Sequence, residues 1–105
     1  IKTKYFEATI YKKQNNYLLV KNEKFKFLKN MPIFPMIEVQ ESKYRYSTNK
    51  KINIKLSNME MKILLNNSNQ VPNIKNKILV KKDELSSEII PSFTKKIFNT
   101  ISKFE

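Results

Sequence analysis

The chain has 105 residues and carries 21 basic against 9 acidic side chains, a net charge of +12. It holds no Cys and no His, which excludes disulfides, Cys/His zinc sites and Ser-His or Cys-His catalysis. It holds no Gly either, so there is no glycine-rich phosphate loop, and no constellation of acid, base and nucleophile from which to argue an enzyme.

The length fits one domain, residues 1–105, with a small core. An excess of twelve positive charges points to a polyanionic partner, nucleic acid first, although a membrane surface or an acidic protein would also satisfy it. The composition offers a competing account. Arg45 is the only arginine, and Lys, Asn and Ile, all with A/T-rich codons, are abundant. Lysine acts on phosphates as a point charge and lacks the planar fork with which arginine reads bases, so low sequence specificity is expected. The apolar runs are far shorter than a membrane span and no secretory signal is visible, so no membrane partner is expected. The chain begins at Ile1, which suits a processed chain or a piece of a longer one; a removed organelle transit peptide is consistent with that start.

In chain order, Lys2 to Lys13 reads as a strand, with Phe6, Ala8 and Ile10 on one face and Glu7, Thr9 and Tyr11 on the other. Gln14-Asn15-Asn16 is a turn signal, and Tyr17 to Val20 a short apolar run. Phe25 and Phe27 alternate as in a strand. In the apolar segment Ile33 to Val39, Pro35 demands an edge position or a strand that starts after it. Thr48-Asn49 is expected to join Tyr44–Ser47 and Lys50–Leu56 as a hairpin. Ile52, Ile54 and Leu56 alternate with Asn53 and Lys55, and Ser57 with Glu60 has the form of a capping box. A helix is therefore expected from Ser57, with Met59, Ile63 and Leu64 as its apolar stripe, ending at Asn66-Asn67-Ser68-Asn69. Ile74 to Val80 reads as a strand and Lys81 to Glu88 as a loop or poor helix. Pro91 opens the clearest helix, in which Phe93, Ile97, Ile101 and Phe104 form a core stripe and Thr94, Lys95, Asn99, Ser102 and Lys103 the opposite side. The order implies an α+β fold: a mainly antiparallel sheet of about four strands, then helix, strand and C-terminal helix.

The acidic residues are scattered, and Asp83-Glu84 sits among lysines as solvated charge. Tyr44, Arg45, Tyr46, Lys50 and Lys51 cluster in sequence around the expected hairpin. Aromatic rings that stack on unpaired bases, beside lysines that neutralise phosphates, are the working parts of a single-strand binder. Lys2, Lys4 and Tyr11, with Lys12 and Lys13, offer a similar mixture on the first strand. The alternative for each residue is that tyrosines fill the sheet surface and lysines solubilise it.

The stretch from Tyr44 through Lys50-Lys51, Ile52-Asn53-Ile54-Lys55, Leu56-Ser57-Asn58-Met59-Glu60 and Met61 to Leu65 resembles the Whirly single-stranded DNA-binding proteins of plant organelles. Phe25-Lys26-Phe27, Lys2-Thr3-Lys4 and the closing Ile90-Pro91 helix extend the likeness in the same order. The family's glycines and the Trp near its turn are missing, and between Asn69 and Pro91 there is room for only one or two strands, fewer than the family has. The resemblance implies a homo-oligomer or a ribonucleoprotein component that binds single-stranded DNA or RNA in an organelle, most simply a mitochondrion. A structural component of an organellar ribosome, bound to rRNA, and a protein-interaction subunit are the two alternatives. No cofactor is implied.

Overall fold

The computed structural model describes residues 1–87 and 89–103. The first strand, β1 (Lys2–Lys13), is the longest. It matches its sequence pattern: Phe6, Ala8 and Ile10 are buried, and the residues between them are half-buried. Gln14 turns the chain with a left-handed backbone (φ 58°) into β2 (Asn16–Lys21). Two short strands follow on either side of the proline, β3 (Pro32–Ile33) and β4 (Met36–Val39), so the second begins after Pro35 as its chemistry requires. A six-residue helix, α1 (Glu41–Tyr46), precedes β5 (Lys50–Leu56), β6 (Met59–Ser68) and β7 (Lys77–Lys81). A 3-10 turn over Lys82–Ser86 and the closing helix α2 (Ser92–Ser102) complete the chain.

The fold is mixed α+β, rich in strand, with a C-terminal helix. Its sheet differs from the simple antiparallel one expected, because among the described residues seven strands take part and β1 runs parallel to β6 from Lys2 opposite Met59 to Tyr11 opposite Ser68. One half of the sheet has the order β4-β1-β6-β5, with β4 and β5 antiparallel to their neighbours. The far end of β1 turns into the other half, where Lys12 and Lys13 pair with β2, and β2 pairs with both β3 and β7. The two halves close on one core, to which Phe6, Ile10, Tyr17, Leu19, Ile54 and Ile63 contribute from four strands. Phe93, Ile97 and Ile101 of α2 cover it as their spacing requires. Phe104 lies outside the described residues.

Five expectations are corrected. First, the stretch after Ser57 is a strand and not a helix. Ser57 takes a left-handed conformation (φ 56°) in a tight turn between β5 and β6, and Glu60 lies in the strand without a capping role. Met59, Ile63 and Leu64 have helical spacing, but Met61, Ile63 and Leu65 have strand spacing in the same ten residues. Being central settles it. β6 lies between β1 and β5 and is covered on both faces, so it needs the continuous apolar run Ile63-Leu64-Leu65. Asn66 to Ser68 end that strand instead of forming the loop expected there.

Second, Tyr44–Tyr46 is helical and does not form a hairpin arm. Third, Phe25 and Phe27 lie in a loop organised by Asn22, which is buried. The Asn22 amide donates to the carbonyls of Phe27 (2.5 Å) and Leu28 (3.0 Å) and accepts from the Phe25 N–H (2.9 Å). The two rings stack on each other, 5.0 Å apart, and each meets Phe6 edge-on. Fourth, Thr94 is buried on the core side of α2, where its hydroxyl donates to the Pro32 carbonyl (2.8 Å) and ties the helix to β3. Fifth, the expected strand at Ile74 starts later, at Lys77, after a turn in which Asn76 is left-handed (φ 67°).

Candidate nucleic-acid interface

Side chains alternate along a strand, so residues opposite in register share a face. On the face of the sheet turned away from the core, this places Tyr5, Lys62 and Asn53 in one row and Glu7, Leu64 and Lys51 in the next. Helix α1 packs over these rows. Glu41 stands in its first turn and Lys43 and Arg45 in its last, the arrangement the helix dipole favours, and Glu41 pairs with Arg45 one turn on. Six residues do not hold a helix in water unaided. Two contacts hold this one. The Tyr44 ring meets the Tyr5 ring edge-on at 5.3 Å, and the Lys43 ammonium donates to Glu7 at 2.9 Å.

Glu7 is the acidic pin of a basic surface. Its side chain is only 14% exposed. The hydrogen bond from Lys43 holds its carboxyl below the usual carboxylate range; burial opposes this, and the Asn66 amide (2.6 Å) and the charge of Lys43 add to it. Asn66 in turn accepts from Asn49, so one polar chain links α1, β1, β6 and the loop before β5.

Around that pin the positive charge gathers. The Lys51 ammonium stands over the Tyr44 ring at 4.9 Å and that of Lys62 at 6.0 Å. Lys62 also reaches Glu60 at 4.0 Å. Lys50, Lys51 and Lys55 are exposed along β5, an edge strand paired with β6 alone. Tyr46, at the end of α1, is 79% exposed, with its ring free of the aromatic contacts that hold Tyr44. A groove of about 700 Å³ opens between Thr48–Lys50 and Leu65–Ser68, with Thr9 and Ile101 also in its wall, and amide and hydroxyl groups make up much of its lining.

The structure thus brings together Tyr44, Arg45, Tyr46 and Lys51, though on a helix-loop-strand; Lys50, opposite Leu65 and in phase with Ile52 and Ile54, begins the same edge strand on its other face. It gives them unequal parts: Tyr44 is packed between sheet and lysines, Arg45 is paired with Glu41, and Tyr46 faces outward. It does not bring the first-strand lysines to them. Lys2 and Lys4 lie at the start of β1 in phase with Phe6, on the opposite face from Tyr5. Lys12 and Lys13 lie at the other end of β1, where Lys12 stands over the Tyr17 ring at 5.4 Å. Lys4 and Lys12 are about 26 Å apart along the strand at a rise of about 3.3 Å per residue. Lys43, Lys55, Lys62, Glu7 and Asn66 were absent from the sequence-based set. The alternation Lys51-Asn53-Lys55 announces Lys55, but Lys62 is hidden by the helix expected over its stretch and Asn66 by the loop expected after it.

Among the described residues no cluster of three or more Asp, Glu, His or Cys could hold a metal ion, and no helix is long and apolar enough to cross a membrane.

The arrangement defines a class: a strand-rich α+β domain with a basic, aromatic-bearing edge. The C-terminal domain of mouse MUTYH, solved in a complex with human PCNA, has a similar fold, with a TM-score of 0.67 over 96% of this chain and 88% of that one. The two sequences are 12% identical, so the likeness is one of fold. No protein-family model matches the sequence. No curated protein matches it either.

Proposed function

We propose that this chain binds single-stranded nucleic acid, DNA or RNA, with low sequence specificity, through the surface formed by α1, β5 and Lys62. The observation that carries the reading is Tyr46, a 79% exposed tyrosine next to an edge strand that bears Lys50, Lys51 and Lys55. Base-aromatic stacking is indifferent to sequence, and ammonium groups along a strand track a phosphate backbone. The polar groove beside them supplies amides and hydroxyls for sugar and base edges. Arg45 is paired with Glu41, and a surface on which lysine point charges outnumber arginine forks suits non-specific binding. Lys2, Lys4, Lys12 and Lys13 lie away from this surface and contribute field more than contact. The organellar setting implied by the Whirly resemblance belongs to the same proposal, as does residence in a larger ribonucleoprotein such as a mitochondrial ribosome, where the same surface would meet structural RNA.

Fluorescence anisotropy with a labelled twenty-nucleotide dT strand, titrated at several salt concentrations, tests it. Four lysine-phosphate contacts give a slope of log affinity against log salt of about −2.8. Tyr46→Ala should weaken binding about tenfold without changing that slope, because stacking contributes about 1–3 kcal/mol per base and releases no counterions. A strand that does not bind at low salt, or binding indifferent to salt, would count decisively against the proposal.

A further inference from the structure

The other basic edge of the sheet has a different chemistry. Among the described residues strand β7 pairs with β2 alone, from Lys77 opposite Val20 to Lys81 opposite Asn16. The Lys21 N–H donates to the Asn76 carbonyl (3.2 Å), which sets the phase of the ladder. Asn76, Ile78 and Val80 turn their backbone groups toward β2, and Lys77, Leu79 and Lys81 turn theirs outward. The outward N–H of Lys81 is taken by the Glu84 carboxylate (2.8 Å), a bond that closes the C-terminal end of the edge. The backbone groups of Lys77 and Leu79 meet no other strand among the described residues. Leu79 is 52% exposed and Ile78 38% exposed, whereas the next residue, Val80, is buried in the core. Lys75, Lys77, Lys81 and Lys82, all exposed, bracket the two apolar side chains. Asp83 follows at the surface as the opposing charge, and Glu84 is occupied by the Lys81 N–H.

We propose that β7 is a strand-addition site for an extended acidic segment of a partner protein, in which two carboxylates four residues apart share one strand face with an aliphatic residue midway between them. Free backbone donors and acceptors at strand spacing are met by another peptide strand and not by a polynucleotide, whose acceptors follow the phosphate repeat. A second copy of this chain is a poor occupant. Antiparallel pairing of two β7 strands about Leu79 sets Lys77 directly against Lys81 twice, and like charges opposite one another destabilise a ladder. An acidic segment removes that repulsion: its carboxylates lie across from Lys77 and Lys81, and an aliphatic residue covers Leu79. This inference does not depend on nucleic-acid binding at α1 and β5.

The test uses the whole chain and a library of seven-residue peptides with Asp or Glu at positions 2 and 6, Val, Ile or Leu at position 4, and Thr or Val elsewhere. Amide hydrogen exchange is read by NMR. The expected result is that the best binder slows exchange at the Lys77 and Leu79 amides at least tenfold, and that a dT strand leaves both unchanged. Leu79→Pro deletes an outward N–H without removing a bond to β2 and should weaken the peptide at least tenfold. The double variant Lys77→Glu, Lys81→Glu should do the same with the backbone intact, and it keeps the test valid if the proline variant does not fold. The proposal is overturned if no library member protects these amides, if the dT strand protects them equally, or if they become protected through self-association of the chain alone.

Discussion

Strands β5 and β7 are both sheet edges, each paired with a single neighbour and each lined with lysine. On β5 the apolar residues point inward: Ile54 is buried, Ile52 and Leu56 are half-buried, and the exposed positions are Lys50, Lys51, Asn53 and Lys55. On β7 the aliphatic side chains of Ile78 and Leu79 stand in solvent between lysines. Charge alone therefore does not distinguish the two edges; the side chains between the charges do. A polar edge beside an exposed tyrosine suits a polyanion with stackable bases, while an edge with bare leucine and open backbone groups suits a peptide.

The comparison breaks most visibly when charge is removed from one edge at a time. Replacing Lys50, Lys51, Lys55 and Lys62 with Gln should lower affinity for a dT strand about six-hundredfold near 0.1 M salt, since four lost contacts remove a slope of about 2.8. Replacing Lys75, Lys77, Lys81 and Lys82 with Gln should change it much less. Equal losses from the two sets, measured by anisotropy, would mean that total charge and not the α1–β5 surface binds.

A second prediction concerns the support of β7. The Asn22 loop and Ile74-Lys75-Asn76 line one hollow of about 220 Å³. Asn22→Ala leaves half-buried backbone groups of Phe25, Phe27 and Leu28 without their partner. Such loss costs about 1–3 kcal/mol. Denaturant unfolding should show that loss. Native-state exchange should open the β2–β7 ladder before the β1–β6 ladder, and opening in the reverse order would contradict the account.

A smaller effect is expected at Glu7, which holds α1 and thus Tyr46 in place. Its folded carboxyl is held below the ordinary value, so the stability it contributes is full above that value and is lost as pH falls through the folded one. Below the carboxylate range the Tyr44–Tyr5 contact should loosen, visible as a change in the near-ultraviolet circular dichroism of the tyrosines. Glu7→Gln should abolish that step while leaving the core transition unchanged. A step that survives in the variant would assign it to another carboxylate.

How far the sequence could be read depends on what each element packs against. β1 shows its alternation because one face is core and the other is only half-covered, and α2 shows its stripe because one side is solvent. β6 is covered on both faces, and its apolar run fits either period. The parallel pairing of β1 with β6 joins residues more than fifty positions apart, which no local pattern records. Helix α1 has no buried residue of its own and depends on Tyr5 and Glu7, far away in sequence. For the candidate site, the nearness of Tyr44, Arg45, Tyr46, Lys50 and Lys51 was legible because they are neighbours in the chain. That Tyr44 is packed while Tyr46 is free was not, because it follows from the register of three strands.

Photocrosslinking of a 4-thiothymidine-substituted dT strand to the intact chain, followed by mass-spectrometric mapping of the linked peptides, tests the central claim most directly. The account expects crosslinks concentrated on Tyr46 and on the segment from Lys50 to Lys55, with few on residues 75–82. Crosslinks centred on β7, or spread evenly over the lysines of the whole surface, would contradict it.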